Sequence, residues 1–402
     1  MRFVLIIVGI TLVLSLLQLL LLRILNRSYW KIGWVRYASI GLVLYTFTAG
    51  AIWIGGVCLG RIDLAYLGVY GAAPAVVVSL ALIVALPISG VINTIQYWYI
   101  RRRQRRGLEE DIAPQSLGRR LTIQRLAAIV PLSTLGLAAV GTVRSFGSVD
   151  VREIPFYFQN LPANLEGFRI LHLSDSHLGL YVDLGDLEAL LLDAKNFRPD
   201  LVLFSGDIAD DLELLPDAIK MIEELRPPYG VYCSMGNHDY YRGARRVIAA
   251  FAASSTPMLI NSGVSLKVGT TALFIGGADD PISMRGSIDQ FMKDSIDQTF
   301  SHAAADSFKI IMSHRPTGFD YAASHGVELT VAGHTHGGQL GFMGQPLFQR
   351  WGLERYIWGK FQRGKSQLYT SSGVGHWFPF RLGCPAEAPV LVLRKSRDSQ
   401  SA

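Results

Sequence analysis

The chain has 402 residues, half of them hydrophobic and 17% charged, with a formal net charge of +6. That length is enough for two or more domains, and three cysteines, Cys58, Cys233 and Cys384, exclude a disulfide scaffold. The charge is unevenly placed. Residues 1–150 hold 15 Lys+Arg and 5 Asp+Glu, a net of +10, whereas residues 151–402 hold 23 and 27, a net of −4. The basic excess therefore belongs to the N-terminal part and is no argument for nucleic-acid binding. All nine histidines lie after residue 170, so imidazole chemistry belongs to the C-terminal part.

Phe3–Leu22 is uncharged and long enough to cross a bilayer core, which takes roughly 20 apolar residues. Ala38–Gly60 is a second such run. Leu64–Ile100 holds a third, centred on Gly71–Val91, with Pro74 and Pro87 inside it. Leu126–Val143 is the fourth and contains Pro131. Prolines of this kind are tolerated in membrane helices. Four spans fit best; five would require the long third run to be split. The spans contain no Asp, Glu, Lys, Arg or His, which suits anchoring rather than transport.

Basic residues mark cytoplasmic loops. The first loop carries Arg23, Arg27, Lys31 and Arg36, the second only Arg61, and the third Arg101, Arg102, Arg103, Arg105, Arg106, Arg119, Arg120 and Arg125. With four spans, everything after the last lies on the exoplasmic side of a plasma membrane. Gly118–Thr122 is loosely similar to a twin-arginine export signal. We read Arg119 and Arg120 instead as two further cytoplasmic charges.

After Gly147 the pattern changes to short apolar runs, each ending in a chemically distinctive motif. Arg169–Leu173 precedes Asp175-Ser176-His177, and Leu201–Phe204 precedes Gly206-Asp207. Val231–Ser234 precedes Gly236-Asn237-His238-Asp239, Lys309–Met312 precedes His314, and Leu329–Ala332 precedes Gly333-His334-Thr335-His336. Runs of this length suit buried strands. Helical patterns at Asp186–Asn196 and Leu215–Leu225 alternate with them, which predicts α/β layering. Ligands gather at the carboxyl ends of such strands. Ser265–Gly276 predicts a hairpin turning at Gly269-Thr270, and Gln367–Thr370 and Pro389–Leu393 predict closing strands. The domain expectation is a four-helix transmembrane anchor over 1–147, a linker over 148–165, an α/β domain over 166–395 and a disordered tail over 396–402.

Two carboxylates, an amide oxygen and four imidazoles exceed what one ion uses, and suit two divalent cations that share a carboxylate. Asp175, His177, Asp207 and His336 would hold the first, and Asp207, Asn237, His314 and His334 the second. Paired cations of this kind activate water against phosphate esters. His238 is left over and suits protonation of the leaving oxygen, with Asp210 orienting it.

These motifs resemble those of the calcineurin-like metallophosphoesterases from about residue 166 to 394. The resemblance implies a four-layer α/β/β/α sandwich and a dinuclear centre of manganese, iron or zinc, with manganese favoured. Gly333–Gln339 and Tyr369–Gly375 look like the small membrane-associated branch. Asp239 stands where protein phosphatases of the superfamily carry Glu, which argues against that activity.

Arg315, beside His314, and His376 and Arg381, after the Gly373-Val374-Gly375 turn, are candidates for contact with a substrate phosphate. Phe342–Lys365 mixes aromatic and basic residues and suits either a bilayer surface and its headgroups or a cap packed on the domain. A Cys233–Cys384 disulfide cannot be read from sequence. The reading is a membrane-anchored phosphoric ester hydrolase acting on a phosphomonoester, phosphodiester or pyrophosphate, with lipid-linked or envelope-derived substrates favoured by tethering. A UDP-sugar-lipid pyrophosphatase, which needs a cytoplasmic site, is the alternative within the class. An inactive metal- or nucleotide-binding membrane sensor is the alternative outside it. No nucleic-acid partner is expected, and the sequence leaves the oligomeric state open.

Overall fold

The computed structural model describes residues 2–105, 114–283, 287–352 and 355–396. The chain divides into two compact units, Met1–Val143 and Arg144–Ala402. The side chains of Arg103, Arg105, Arg106, Arg119, Arg120 and Arg125 lie outside the described residues, as do positions 397–402 of the expected tail.

The first unit is helical: α1 (Arg2–Leu25), the short α2 (Arg27–Trp30), α3 (Gly33–Cys58), α4 (Ile62–Arg105) and α5 (Pro114–Ser145), whose last two residues fall in the second unit. Four of these are long and apolar enough to cross a membrane: Val4–Leu25, Gly33–Cys58, Ile62–Tyr99 and Ala127–Ser145. The long third run is one helix, with Pro74 and Pro87 inside it. Small residues set the packing of α3 on α4. A Cβ on Gly56 would overlap the Ala65 backbone, and one on Gly68 the Trp53 backbone. The Asn26 amide donates to the Leu86 carbonyl at 2.8 Å, which satisfies a polar group buried among apolar helices.

The second unit begins with β1 (Glu153–Phe158), β2 (Arg169–Leu173), α6 (Leu184–Lys195), β3 (Leu201–Ser205), α7 (Leu215–Glu223), β4 (Val231–Ser234), α8 (Asn237–Ala252) and β5 (Met258–Leu259). It continues with β6 (Ser262–Val268), β7 (Thr271–Gly277), α9 (Ile288–Thr299), β8 (Phe308–Met312), α10 (Gly318–Ser324) and β9 (Leu329–Ala332). It closes with β10 (Gly341–Phe342), β11 (Gln345–Pro346), β12 (Gly359–Arg363), β13 (Ser366–Thr370) and β14 (Val390–Lys395). One six-stranded sheet runs β1-β14-β2-β3-β4-β5 and the other β12-β13-β9-β8-β7-β6, with β10-β11 as a small separate hairpin.

Alternation along the strands sorts the layers. Ile170, Leu201, Leu203 and Leu391 of the first sheet share a core with Leu273, Ile275, Ile310, Met312, Leu329 and Val331 of the second. The intervening residues of the first sheet, such as Leu171, Val202 and Phe204, pack on Leu187, Leu190, Ile219 and Val247 of α6, α7 and α8. Phe274 and Ile311 of the second sheet pack on Ile296 of α9 and Ala322 of α10. Four layers result, α/β/β/α.

Strands β2, β3, β4 and β5 are mutually parallel, so their carboxyl ends share one edge. The same holds for β7, β8, β9 and β13. The predicted hairpin is β6-β7, with Val268 opposite Thr271 across Gly269-Thr270. Residues 148–165, read as a linker, hold β1, which pairs in parallel with β14 along its length. The insert after β9 is part cap. Tyr356, Ile357 and Trp358 are buried, so Trp358 does not meet lipid. Its indole instead donates to the buried Glu387 carboxylate at 2.9 Å. Cys233 and Cys384 are buried and unpaired, and Cys58 is exposed.

Candidate metal centre

Each predicted ligand sits just beyond a strand end: Asp175 and His177 after β2, Asp207 after β3, Asn237 after β4, His314 after β8, and His334 and His336 after β9. Ligand atoms of Asp175, His177 and His336 all lie within 4.8 Å of one another, as do those of Asp175, Asp207 and His314. His314 Nε2 is 3.2 Å from Asp207 Oδ2 and 3.1 Å from Asn237 Oδ1. His177 Nε2 is 3.7 Å from Asp207 Oδ2, and His336 Nε2 is 3.5 Å from Asp175 Oδ1. His334 stands slightly apart. Its ring centroid is 5.1 Å from that of His314, and its Nε2 is 3.2 Å from Arg315 Nη1.

The backbone turns sharply to achieve this. Asp175 (φ 52°), His177 (φ 46°), Asp207 (φ 56°), His334 (φ 69°) and His336 (φ 49°) are all left-handed. The conformation costs an L-residue roughly 1–2 kcal/mol, so the surrounding fold must enforce it. Gly206 (φ 87°) supplies one turn. Gly333 serves differently, because a Cβ there would overlap Ser174 Oγ and Asp175 Oδ2. Its role is to let the β9 loop approach the β2 loop.

Backbone donors hold the carboxylates. His334 N–H donates to Asp175 Oδ1 at 3.0 Å and Oδ2 at 3.1 Å, and Ser174 Oγ also donates to Oδ2. His238 N–H donates to Asp207 Oδ1 at 2.7 Å. Asp239, fully buried, accepts N–H groups from Gly236 (2.8 Å), Asp207 (2.9 Å) and Ile208 (3.2 Å), tying the β3 and β4 loops together.

Electrostatics is severe here, because Asp175, His177, Asp207, His314 and His336 are each at most 5% exposed. Burial opposes the Asp207 charge, but His314 and then His177 outweigh it and hold the carboxyl below its usual range. Burial also opposes a His314 charge, yet Asp207 lifts this imidazole to about 10. Burial, reinforced by His314 and Arg315, pushes His334 down to about 3. Burial and then His177 drive His336 well below its ordinary value. Burial pushes Asp175 up, partly offset by His314.

The donor set fits divalent cations. His177 Nε2 and His336 Nε2 face each other at 3.2 Å beside two buried carboxylates. At most one proton fits between the two nitrogens, and such a concentration of lone pairs is costly in a dry interior. A shared cation satisfies them together. His314 Nδ1 lies 2.8 Å from the Ser205 carbonyl, which suits donation to it and orients Nε2 toward Asp207 and Asn237.

His238 Nδ1 lies 2.9 Å from Asp210 Oδ1. Asp210 also accepts from Arg242 Nε at 3.0 Å. Burial opposes the Asp210 charge, but hydrogen bonds from His177 and His238 hold it well below the usual carboxylate range. His238 is less detached than expected, since its ligand atom lies within 4.8 Å of those of His177 and Asp207.

Arg315 lies at the site, beside His334, with Nε 2.9 Å from Asp280 Oδ2. His376 is 2% exposed, stacked on Tyr181 with centroids 5.6 Å apart, and edge-on to Phe146. Burial, then Arg381 and His177, push its pKa to about 3. The expected phosphate contact by Arg381 is corrected. At 1% exposure, its terminal nitrogens donate to the carbonyls of Ser372, Gly373, Gly375 and Pro385, where they fix the 372–375 loop. Sequence reasoning missed the structural roles of Asp239 and Asp280. Asp239 was visible as the last residue of its motif, three positions after Gly236 at a helix start, where a carboxylate caps free N–H groups.

Residues 168–338 match the family model for calcineurin-like phosphoesterases. The chain carries a calcineurin-like phosphoesterase domain. An uncharacterised metallophosphoesterase of Bacillus subtilis, YkuE, is 29% identical over 244 residues, which cover 59% of this chain and 82% of that protein. A transmembrane protein with a metallophosphoesterase domain from Danio rerio is 26% identical over 312 residues, covering 72% of this chain and 66% of that one. Among solved structures, TT1561 of Thermus thermophilus aligns with a TM-score of 0.34 and 12% identity, over 54% of this chain and 91% of the other. The family uses a dinuclear divalent metal site, and the ligand groups at this domain's rim are candidates for it.

Proposed function

We propose that this chain is a membrane-anchored hydrolase that cleaves a phosphomonoester, phosphodiester or pyrophosphate with two divalent cations. The observation that carries the reading is the convergence of Asp175, His177, Asp207, His314 and His336 on one buried cluster, with Asn237 against His314. Asp175, His177, Asp207 and His336 would hold one cation. Asp207, Asn237, His314 and His334 would hold the other, with Asp207 shared. The mixed oxygen and nitrogen set suits manganese, iron or zinc, and manganese is the first to test. Cations bound there supply an activated water nucleophile and offset charge on the phosphoryl oxygens.

The chain's own residues do the rest. Asp210 orients His238 through Nδ1, which leaves Nε2 to give a proton to the departing oxygen. Arg315, held by Asp280, offers a guanidinium to a phosphoryl oxygen. The apolar helices anchor the domain to a plasma membrane, and the basic first and third loops favour an exoplasmic domain. Tethering of this kind favours lipid-linked or envelope-derived substrates.

The test is hydrolysis of bis(p-nitrophenyl) phosphate by the purified full chain with added manganese. Asp207→Asn should lower the rate by more than about 100-fold, beyond the loss typical of groups behind the ligands, with the melting transition retained. Unchanged hydrolysis in Asp207→Asn would contradict the reading. So would a wild-type chain inert toward monoesters, diesters and pyrophosphate with every metal.

A further inference from the structure

Ten consecutive residues of the second unit, 342–351, display an unusual density of exposed apolar side chains. Phe342 is 70% exposed, Met343 86%, Trp351 66% and Leu347 41%. Single exposed apolar residues are ordinary, whereas a cluster marks an interaction surface. The segment is rigidly built. Phe342 pairs with Gln345 across a two-residue turn in which Met343 (φ 52°) and Gly344 (φ 73°) are both left-handed. That is the tight hairpin geometry that favours Asn-Gly, and here the first turn position carries a methionine. The hairpin base is pinned, with Gly341 N–H donating to the Leu382 carbonyl at 2.8 Å and Leu347 N–H to the Leu340 carbonyl at 2.9 Å. Gly341 and Gly383 pack so closely that a Cβ on either would overlap the other's backbone.

We infer that this hairpin and the turn after it insert into the surface of a lipid bilayer. The occupant follows from the chain itself. Four of its helices are long and apolar enough to span a membrane, and only residues 146–152 separate the last of them from β1. Aromatic residues and methionine suit the boundary between headgroups and acyl chains. Several of the charges nearby among the described residues already have partners. Arg355 and Arg363 pair with Asp320, and Arg152, which lines an adjacent cavity of about 230 Å³, pairs with Asp150 and Glu387. Lys360 Nζ, at the same cavity, already donates to the Pro155 carbonyl. The exposed apolar cluster supplies the driving force, and insertion is expected without anionic lipid.

The test uses the full chain with Cys58→Ser, reconstituted in phosphatidylcholine vesicles and carrying a spin label at Met343→Cys. Relaxation by oxygen should exceed relaxation by a water-soluble nickel chelate, as for a label at Leu17→Cys inside the first span. A label at Lys220→Cys, exposed on α7, should show the reverse. High salt should leave the result unchanged, and Phe342→Ser with Trp351→Ser should move the label into water. A Met343 label that behaves like the Lys220 label overturns the inference. So does release by high salt, or spin–spin broadening that places a second copy of the chain against the hairpin.

Discussion

The two sheets of the phosphoesterase domain contribute differently to its site. The first sheet supplies both carboxylates, Asp175 and Asp207, the Asn237 amide and one imidazole, His177. The second supplies only imidazoles: His314, His334 and His336. The first sheet's β3 and β4 loops are tied to each other through Asp239, whereas loops of the second sheet meet the β2 loop at tight approaches such as Gly333 against Ser174 and Asp175 and Gly375 against the Ser176 carbonyl. The acidic half is thus tied along one rim, and the imidazole half is positioned across the sheet boundary, both by close stacking and by hydrogen bonds such as His314 Nδ1 to the Ser205 carbonyl. A metal pair held across that boundary would report on sheet packing as well as on ligand identity.

The comparison can be broken most directly at the point of approach. Gly333→Ala should push the β9 loop off the β2 loop and lower activity on the order of 100-fold, the scale of a misplacement of about 1 Å. Comparable rates in the variant and the wild type would mean that the approach is not limiting. A kinetic test sharpens the same picture. His238→Ala should lower kcat by about 10²–10⁴-fold and leave bound metal unchanged. Loss of metal in that variant would move His238 from proton donor to ligand.

A further effect concerns the core between the sheets. His172 is fully buried, its Nε2 2.8 Å from Ser205 Oγ, and burial lowers its pKa from 6.5 to about 3. The folded chain therefore binds fewer protons here than the unfolded chain. Stability is full above pH 6.5 and falls as the pH drops toward 3, by up to about 1.4 kcal/mol per pH unit. His172→Phe should flatten that slope in acid unfolding measurements, and an identical slope would show that the group does not stay neutral when buried.

Much of this was legible in the chain. The short apolar runs at Arg169–Leu173, Val231–Ser234 and Leu329–Ala332 coincide with β2, β4 and β9, because a strand buried on both faces is signalled by composition alone. The order of the motifs conveyed which side chains gather at one rim for the same reason, since each follows its strand directly. What stayed hidden depends on contacts between distant residues. Strand β1 looked like a connector because its partner, β14, lies more than two hundred residues away. Arg381 looked like a phosphate ligand because nothing local reveals that four carbonyls surround it. The left-handed backbone at five ligands is likewise invisible, since Asp and His carry no sign of a conformation imposed by the loops around them.

The central claim is that two cations lie across the boundary between the sheets. The most direct measurement is the metal content of the purified full chain, loaded with manganese and dialysed, then compared with Asp207→Asn and His314→Ala. The account predicts two equivalents per wild-type chain, loss of both in Asp207→Asn, and retention of one in His314→Ala. A wild-type chain that holds no more than a single equivalent, or an Asp207→Asn chain that keeps two, would contradict it.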